Sequence, residues 1–353
     1  MTTIDIAIPV LNEENYIIEC IKSVMNFDIP KNVKTNIFIL DGGSQDKTID
    51  YINELVSKYP NIHLLHNHGR IQSCALNMVI LEGKGDYIMR LDAHSYYPPD
   101  YLKLCLETAD RTNADNVGGI FITQPGGESY QASLVQAITT HRFGVGNSDF
   151  RLNAKERSVD TVPYGFFKRS IFDQIGWFDE RLVRAQDYEI NKRIIAAGGV
   201  VWINPSIKVY YYNQPNLISF YKKQLIKEAP YNVYLWTIAP YAFTPRHAIT
   251  GVFTVGVCGG LLLSPLTPFI KWPFVAIMTV YILLALVSSI QQAKRYSQPM
   301  HILFLPLCFF VFLFLHGIGL IIGSLKVLTK SSPVQKIKEP WPKSGRNRAF
   351  PVR

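Results

Sequence analysis

The chain has 353 residues, a formal net charge of +9 and five cysteines. That length allows one large α/β domain with a membrane segment, or two modest domains. Cys20, Cys74, Cys105, Cys258 and Cys308 form no CxxC pair, which supports neither a disulfide framework nor a zinc site.

Residues 4–10 (IDIAIPV) form a short apolar run suited to a buried strand, and 13–26 follow with helical spacing. No basic segment leads into an apolar run with a small-residue cleavage site, so no signal peptide is expected and the soluble part is expected in the cytoplasm. Residues 35–40 (TNIFIL) read as a second strand, ended by the turn Asp41-Gly42-Gly43-Ser44. Asp46 to Tyr59 reads as a helix, 62–65 as a strand, Ser73 to Glu82 as a helix and 86–91 (DYIMRL) as a fourth strand. Strands separated by helices imply a mainly parallel sheet. Ligands bind beyond the carboxyl ends of such strands. Asn12 and Glu13 follow the first strand, Asp41 the second, and Asp92 and His94 the fourth.

Residues 117–123 read as another strand. The stretch 124–160 holds one helical segment, Ser129 to Arg142, and is expected to form a mobile loop over the site. Residues 185–197 read as helix and 200–203 as strand. Past residue 230 the composition changes. Tyr231, Tyr234, Trp236, Tyr241 and Phe243 suit a helix at headgroup level, with a plain core helix as the alternative. Three apolar stretches follow at about 248–270, 273–290 and 301–323, each near the length of a membrane span. The first is interrupted by Ser264-Pro265 and Pro268. Three full spans would put the basic tail opposite the soluble domain, against the positive-inside tendency. Two full spans, with 248–270 re-entrant, keep the tail inside but leave Lys294 and Arg295 outside; this second arrangement is preferred. In the tail, Lys326, Lys330, Lys336, Lys338, Lys343, Arg346, Arg348 and Arg353 face one acid, Glu339. Beside an apolar helix such a tail reads as a lipid-facing cytoplasmic flank and not as a nucleic-acid site. The expected organisation is a soluble domain at 1–230, an interfacial linker at 231–247, two to three membrane helices within 248–325, and a basic tail at 326–353.

Each polar candidate carries a chemical reading and a structural one. Asp92-Ala93-His94, at a strand end, places a carboxylate and an imidazole where both can face one cation. Mg²⁺ or Mn²⁺ there would offset the charge of a diphosphate, and a histidine tilts the choice toward Mn²⁺. Asp-x-His on a surface is also common by chance. Asp41 reads as an Asx-turn residue or as an acceptor for a base N–H. Asn12-Glu13 reads as a helix cap or as a contact to ribose and base. Asp187 reads as a helix-dipole residue or as a general base for an acceptor hydroxyl. Arg70 reads as a phosphate contact or as solvated. His63, His66 and His68 have no matching carboxylates and are not expected to hold a metal.

Taken in order, the segments IAIPVLNEENYIIECIKSV (6–24), ILDGGSQDKT (39–48), ALNMVILEGKGDYIMRLDAHS (75–95), YGFFKRSIFDQIGWFDERL (164–182) and AQDYEINKRI (185–194) resemble the inverting family 2 glycosyltransferases of GT-A fold. The DAH form of the metal motif is most similar to the succinoglycan-type exopolysaccharide enzymes, which also carry C-terminal membrane segments. The resemblance implies an α/β fold: a Rossmann-like, mainly parallel GT-A sheet followed by a helical membrane region. It implies that Pro9, Asn12 and Glu13 line the nucleotide pocket, that Asp41 reads the base, and that Arg70 and Asp92 face the nucleotide sugar. It also implies that Asp92 and His94 handle a divalent metal, and that Asp187 is the base. Gly42 stands where many members carry a second Asp, and Gln186 replaces the usual Glu before the base. The Q-x-x-R-W motif of processive synthases does not follow residue 194, which points to addition of one sugar. The implied donor is a nucleotide sugar, with UDP-sugar the first expectation. The implied acceptor is a polyprenyl-linked sugar or other glycan, held at the inner or plasma membrane. The alternatives are a processive polysaccharide synthase and a non-catalytic membrane adaptor.

Overall fold

The computed structural model describes residues 1–152 and 155–334. The tail basic residues from Lys336 onward lie outside the described residues. The chain divides into two compact bodies. The first takes Met1–Ile122 and the later stretch up to Tyr211; the second takes Thr123–Leu152 and the stretch from Tyr212.

The first body is built on a sheet whose parallel half comes first in sequence. Strands β1 (Thr2–Val10), β2 (Val33–Asp41), β3 (Ile62–His66) and β4 (Tyr87–Arg90) stand in the order β3-β2-β1-β4. β1 pairs in parallel with β2 and with β4. Helices α1 (Ile17–Met25), α2 (Thr48–Lys58) and α3 (Gln72–Glu82) make the crossovers. The apolar runs read as strands are the core: Ile4, Ile6, Ile8, Ile37, Ile39, Ile88 and Met89 are fully or almost fully buried. The sheet continues through short antiparallel strands that the sequence reading did not resolve. These are β5 (Ser95–Tyr96), β7 (Arg157–Ser158) and β8 (Phe166–Lys168), with β6 (Asn116–Gln124) and β9 (Val201–Tyr212) between them. β9 reaches nine residues past the 200–203 run because its later part alternates buried and open side chains. α4 (Tyr101–Thr112) lies between β5 and β6. α7 (Ile171–Ile175) and α8 (Gln186–Ala196) complete this body.

One buried charge ties the middle of this sheet to its neighbours. Asp5, within β1, is fully buried. It accepts from Gly85 N at 2.7 Å, Asn36 Nδ2 at 2.9 Å and Arg169 Nη2 at 2.6 Å.

The second body is helical. α5 (Tyr130–Thr139), α6 (Arg142–Val145), α9 (Leu217–Lys223), a π-turn (Gln224–Glu228) and α10 (Ala229–Ile238) accompany three longer helices, α11 (Pro245–Leu263), α12 (Pro268–Tyr296) and α13 (His301–Leu328). These three are long and apolar enough to cross a membrane. The stretch read as 248–270 is broken: α11 stops at Leu263, and Pro268 opens α12, as proline favours the first helical turn. The segment expected as a mobile loop instead contributes α5 to this body. Leu134, Val135 and Ile138 pack with Leu305, Cys308 and Phe309 of α13. Gln292 donates to Ala137 O (2.5 Å) and Thr140 Oγ1 (3.0 Å), and Arg295 to Thr140 O (3.0 Å). Those bonds satisfy carbonyls that a helix end leaves open. Where the sequence places a boundary near 230, compactness places the divisions at 122/123 and 211/212, because the apolar faces of α5 and α9 are spent on α13.

Replacing Asp5 by Ala would strand the Arg169 guanidinium beside a buried site. It should lower stability by about 3–5 kcal/mol, read as a lowered midpoint of thermal or urea unfolding in detergent. An unchanged midpoint would mean that Asp5 is not a structural charge.

Candidate active site

The site gathers at the carboxyl ends of β1, β2 and β4. Past Val10 the chain turns through Asn12, whose φ of 57° is left-handed, a conformation asparagine tolerates better than most residues. Asn12 N donates to Ser44 Oγ (2.9 Å), and Asn12 Oδ1 accepts from Gln45 N (2.8 Å). Glu13 N donates to Thr48 Oγ1 (2.8 Å). The loops after β1 and β2 are thus stitched into one rim, with Pro9 half-buried in β1 opposite Leu40.

Asp41 ends β2 and is nearly buried. Its carboxylate accepts from Gly43 N (2.9 Å) and Ser44 N (3.0 Å), so it builds the Asx turn. Gly43 has φ +88°, which calls for glycine. At Gly42 a Cβ would meet only ordinary contacts at 3.5–3.6 Å, so the second carboxylate of many relatives is missing for reasons other than space. Arg70 folds over this turn, its Nε donating to Gly42 O at 3.0 Å.

The decisive geometry is at the end of β4. Arg90, the last residue of the strand, is buried, and its guanidinium reaches two carboxylates. Nη2 lies 3.0 Å from Asp92 Oδ1, and Nη1 pairs with Asp187 Oδ1. The same Asp92 oxygen accepts from Gln72 Nε2 at 2.8 Å, and Gln72 Oε1 accepts in turn from Gln186 Nε2. The Tyr164 ring lies under the guanidinium, 5.2 Å from Cζ to centroid, and its hydroxyl bonds Ser95 Oγ at 2.9 Å. Residues from β4, α3, α8 and the strand-entry turn before β8 therefore share one polar network. Burial opposes ionisation of the Asp92 carboxyl, but Arg90 and then His94 hold it below its usual range. Asp187 goes the other way. Burial raises its carboxyl, Arg90 draws it back in part, and the nearby Asp92 charge adds to the rise. One cation thus serves two carboxylates of different acidity.

His94 stands at the open edge, its Nδ1 3.2 Å from Glu13 Oε1, and its side chain is 40% exposed. Among the described residues no group of three or more His, Cys, Asp or Glu side chains could hold a metal, and the three histidines near β3 form no such cluster. His63 packs instead against Phe38, with ring centroids 5.2 Å apart. The donor set does not fit a cation caged by protein alone. It fits one shared with a diphosphate, which needs only one or two side-chain ligands.

Comparison with known proteins follows this geometry. Residues 5–176 match the family profile described as glycosyl transferase family 2. A Methanococcus voltae protein is 29% identical over 343 residues, covering 92% of this chain and 98% of its own. It is named dolichyl N-acetyl-alpha-D-glucosaminyl phosphate 3-beta-D-2,3-diacetamido-2,3-dideoxy-beta-D-glucuronosyltransferase. Residues 5–176 form a glycosyl transferase family 2 domain. Its family 2 relatives include the succinoglycan biosynthesis protein ExoA of Rhizobium meliloti, 31% identical over 218 residues, or 61% of this chain and 65% of that protein. The fold is GT-A. A solved family of the same fold is represented by the mannosyltransferase PcManGT from Pyrobaculum calidifontis, in complex with GDP-Man and Mn²⁺. It superposes with a TM-score of 0.61 at 16% identity, over 94% of this glycosyltransferase and 88% of that one.

The sequence reading missed Arg90, Gln72, Gln186 as a hydrogen-bonding group, and Tyr164. Arg90 had a readable signal: a basic residue inside the apolar run DYIMRL must find partners if it is buried. The two glutamines had none, since they lie 114 positions apart.

The network also explains why residue 186 is an amide in this glycosyltransferase. Asp92 only accepts, so Gln72 must turn its NH₂ toward it and offer Oε1 to residue 186. A donor fits there; an ionised Glu does not. Gln186→Glu should lower kcat/KM about 10- to 100-fold, and adding Gln72→Lys, which donates to both neighbours, should recover most of it. Steady-state kinetics of the two variants check this. Wild-type kinetics for Gln186→Glu would contradict the polarity.

Proposed function

We propose that this enzyme transfers a single sugar from a nucleotide-sugar donor to a lipid-linked acceptor by one inverting displacement, at the cytoplasmic face of the cell membrane. The observation that carries the reading is the Arg90 bridge. It sets Asp92, the carboxylate of the DAH motif, and Asp187, the expected base, on two sides of one guanidinium.

In this reading Asp41, Asn12, Glu13 and Pro9 line the nucleoside side, and Arg70 borders it. Asp41 keeps acceptor capacity beyond its turn bonds, because a carboxylate has about four lone-pair sites. Asp92 and His94 would hold Mn²⁺ or Mg²⁺ together with the donor diphosphate, and that cation would supply charge neutralisation for the leaving nucleoside diphosphate. Arg90 is placed to keep Asp92 ionised for that task. Asp187 takes the proton of the acceptor hydroxyl as its oxygen attacks the anomeric carbon. Its raised pKa makes it a stronger base than an ordinary aspartate. At the same time the Arg90 contact holds the carboxylate in place.

The acceptor reading is supported by the name of the Methanococcus relative, a dolichyl-phosphate-linked transferase matching nearly the whole chain, and by the three apolar helices. A UDP-sugar remains the first donor to try, with GDP-sugars the second because PcManGT was solved with GDP-Man. The basic residues near the apolar helices favour the cytoplasmic side for the catalytic domain.

Asp187→Asn should leave donor binding intact and slow transfer by on the order of 100- to 10,000-fold. Lost donor binding would instead make Asp187 structural. In the wild type, kcat should fall as pH drops through the raised Asp187 pKa, since the protonated carboxyl cannot accept the acceptor proton. That acidic limb should lie above the ordinary aspartate range and vanish in Asp187→Asn. Asp92→Ala should abolish metal-stimulated activity while the protein stays folded. Full activity in that variant would remove Asp92 from the donor site.

A further inference from the structure

The loop that delivers Asp187 to the site, residues 178–185, is pinned to α3. Asn77 holds the Phe178 backbone with both ends of its amide: Nδ2 donates to Phe178 O, and Phe178 N donates to Oδ1, each at 2.9 Å. Ser73 Oγ donates to Leu182 O at 3.0 Å. Gln186 Nε2 donates to Gln72 Oε1. Between these last two anchors lie only Val183, Arg184 and Ala185. The chain enters α8 through Ala185, at a left-handed φ of 63°. An alanine keeps such a backbone only where its surroundings over-determine it. Arg184 therefore stands on a fixed stretch of chain, three residues before the expected base.

Its side chain is the exception among the arginines of this body. Arg90, Arg169, Arg181 and Arg193, the others that are not exposed, each close on carboxylates: Asp92 and Asp187, Asp5, Asp179, and Glu189 in turn. Arg184 is half-buried as well. Yet among the described residues it has no hydrogen bond or ion pair, and its Nε is shut off from water. Withdrawing a guanidinium from water without an acceptor is unfavourable, and unmatched polar groups of this kind collect where a ligand completes them. A guanidinium only donates, and its planar fork fits the oxygens of a phosphate or carboxylate. The missing partner is therefore an anion.

A site that joins a nucleotide sugar to a lipid-linked sugar meets two such anions: the donor diphosphate, and the phosphate that carries the acceptor sugar. The donor side has its own groups. Asn12, Asp41 and Arg70 border the loops after β1 and β2, and Asp92 and His94 follow β4. Arg184 instead shares its short loop with Asp187, the residue that meets the acceptor hydroxyl.

We propose that Arg184 is an acceptor-binding residue, whose guanidinium takes the phosphate linking the acceptor sugar to its lipid. Held there, the acceptor presents its hydroxyl to Asp187, and the charge-assisted fork fixes its orientation as well as its affinity. The inference rests on the transferase reading above, and on its lipid-linked acceptor in particular.

The test is calorimetry on the full chain in detergent, loaded with UDP and Mn²⁺ and titrated with farnesyl phosphate or, as the uncharged control, farnesol. The wild type should bind the phosphate more tightly than the alcohol. R184Q and R184M should each lower that preference by about 10- to 100-fold. R184K, which keeps the charge without the fork, should fall between them and the wild type. UDP affinity should stay within about twofold in all three variants, as for a separate site. Because Arg184 bonds nothing in the protein, the two neutral variants should unfold at the wild-type midpoint or above it. A lowered midpoint would make Arg184 a structural residue and overturn the proposal. A wild-type preference for the phosphate in R184Q and R184M would also overturn it, as would a wild type that does not distinguish phosphate from alcohol. UDP affinity lost at an unchanged midpoint would put Arg184 on the donor diphosphate and overturn the acceptor assignment. A wild type that binds no UDP would refute the transferase reading itself, and this inference with it.

Discussion

A buried guanidinium is the constraint around which the catalytic half is arranged. Arg90 ends a central parallel strand, and the surrounding apolar packing gives it no access to bulk water. Such a cation persists only with carboxylates and hydrogen bonds close by. Its two partners come from opposite directions: Asp92 two residues on along the chain, and Asp187 at the first turn of α8. The need to compensate one charge therefore draws together a strand end and a helix start 97 positions apart, and those are the groups the proposed chemistry uses.

The same pairing separates two acidic groups that would otherwise behave alike. Asp92 gains an amide donor from Gln72 as well as Arg90, and it stays ionised. Asp187 keeps only the guanidinium against its burial and the nearby Asp92 charge, and its carboxyl rises. Paired titratable groups pushed in opposite directions are a frequent mark of acid–base division in enzymes. Here the split follows from burial, which raises Asp187, and from Arg90 and His94, which hold Asp92 down, while the amide relay Gln186 to Gln72 to Asp92 leaves no place for a third carboxylate.

Much of the frame was legible in the sequence, for a physical reason. Fully buried parallel strands read as unbroken apolar runs, so β1, β2 and β4 stand out, and their ends locate Asn12, Asp41 and Asp92. The short antiparallel strands β5, β7 and β8, of two or three residues each, carry too little pattern to be read. The helix read at Ser129 to Arg142 is present as α5, but it packs on α13 and not as part of a mobile loop, because an apolar face shows that a helix will be covered but not by what. The roles of Asn12 and Asp41 look different in three dimensions as well. Both spend hydrogen bonds on the rim itself, which shapes the pocket before any ligand arrives. Long-range amide pairs such as Gln72 and Gln186 carry no local pattern at all. In the helical body, length and composition identify three apolar helices.

The central claim is that one arginine organises both the donor-side carboxylate and the base. Arg90→Met keeps the length of the side chain and removes its charge. Measured together in that variant, binding of UDP or GDP with Mn²⁺ by calorimetry and sugar transfer to a lipid-linked acceptor should both be lost, in a protein that still elutes as a folded species. Retention of either function at the wild-type level would contradict the account, because Asp92 or Asp187 would then hold its position and charge without the guanidinium.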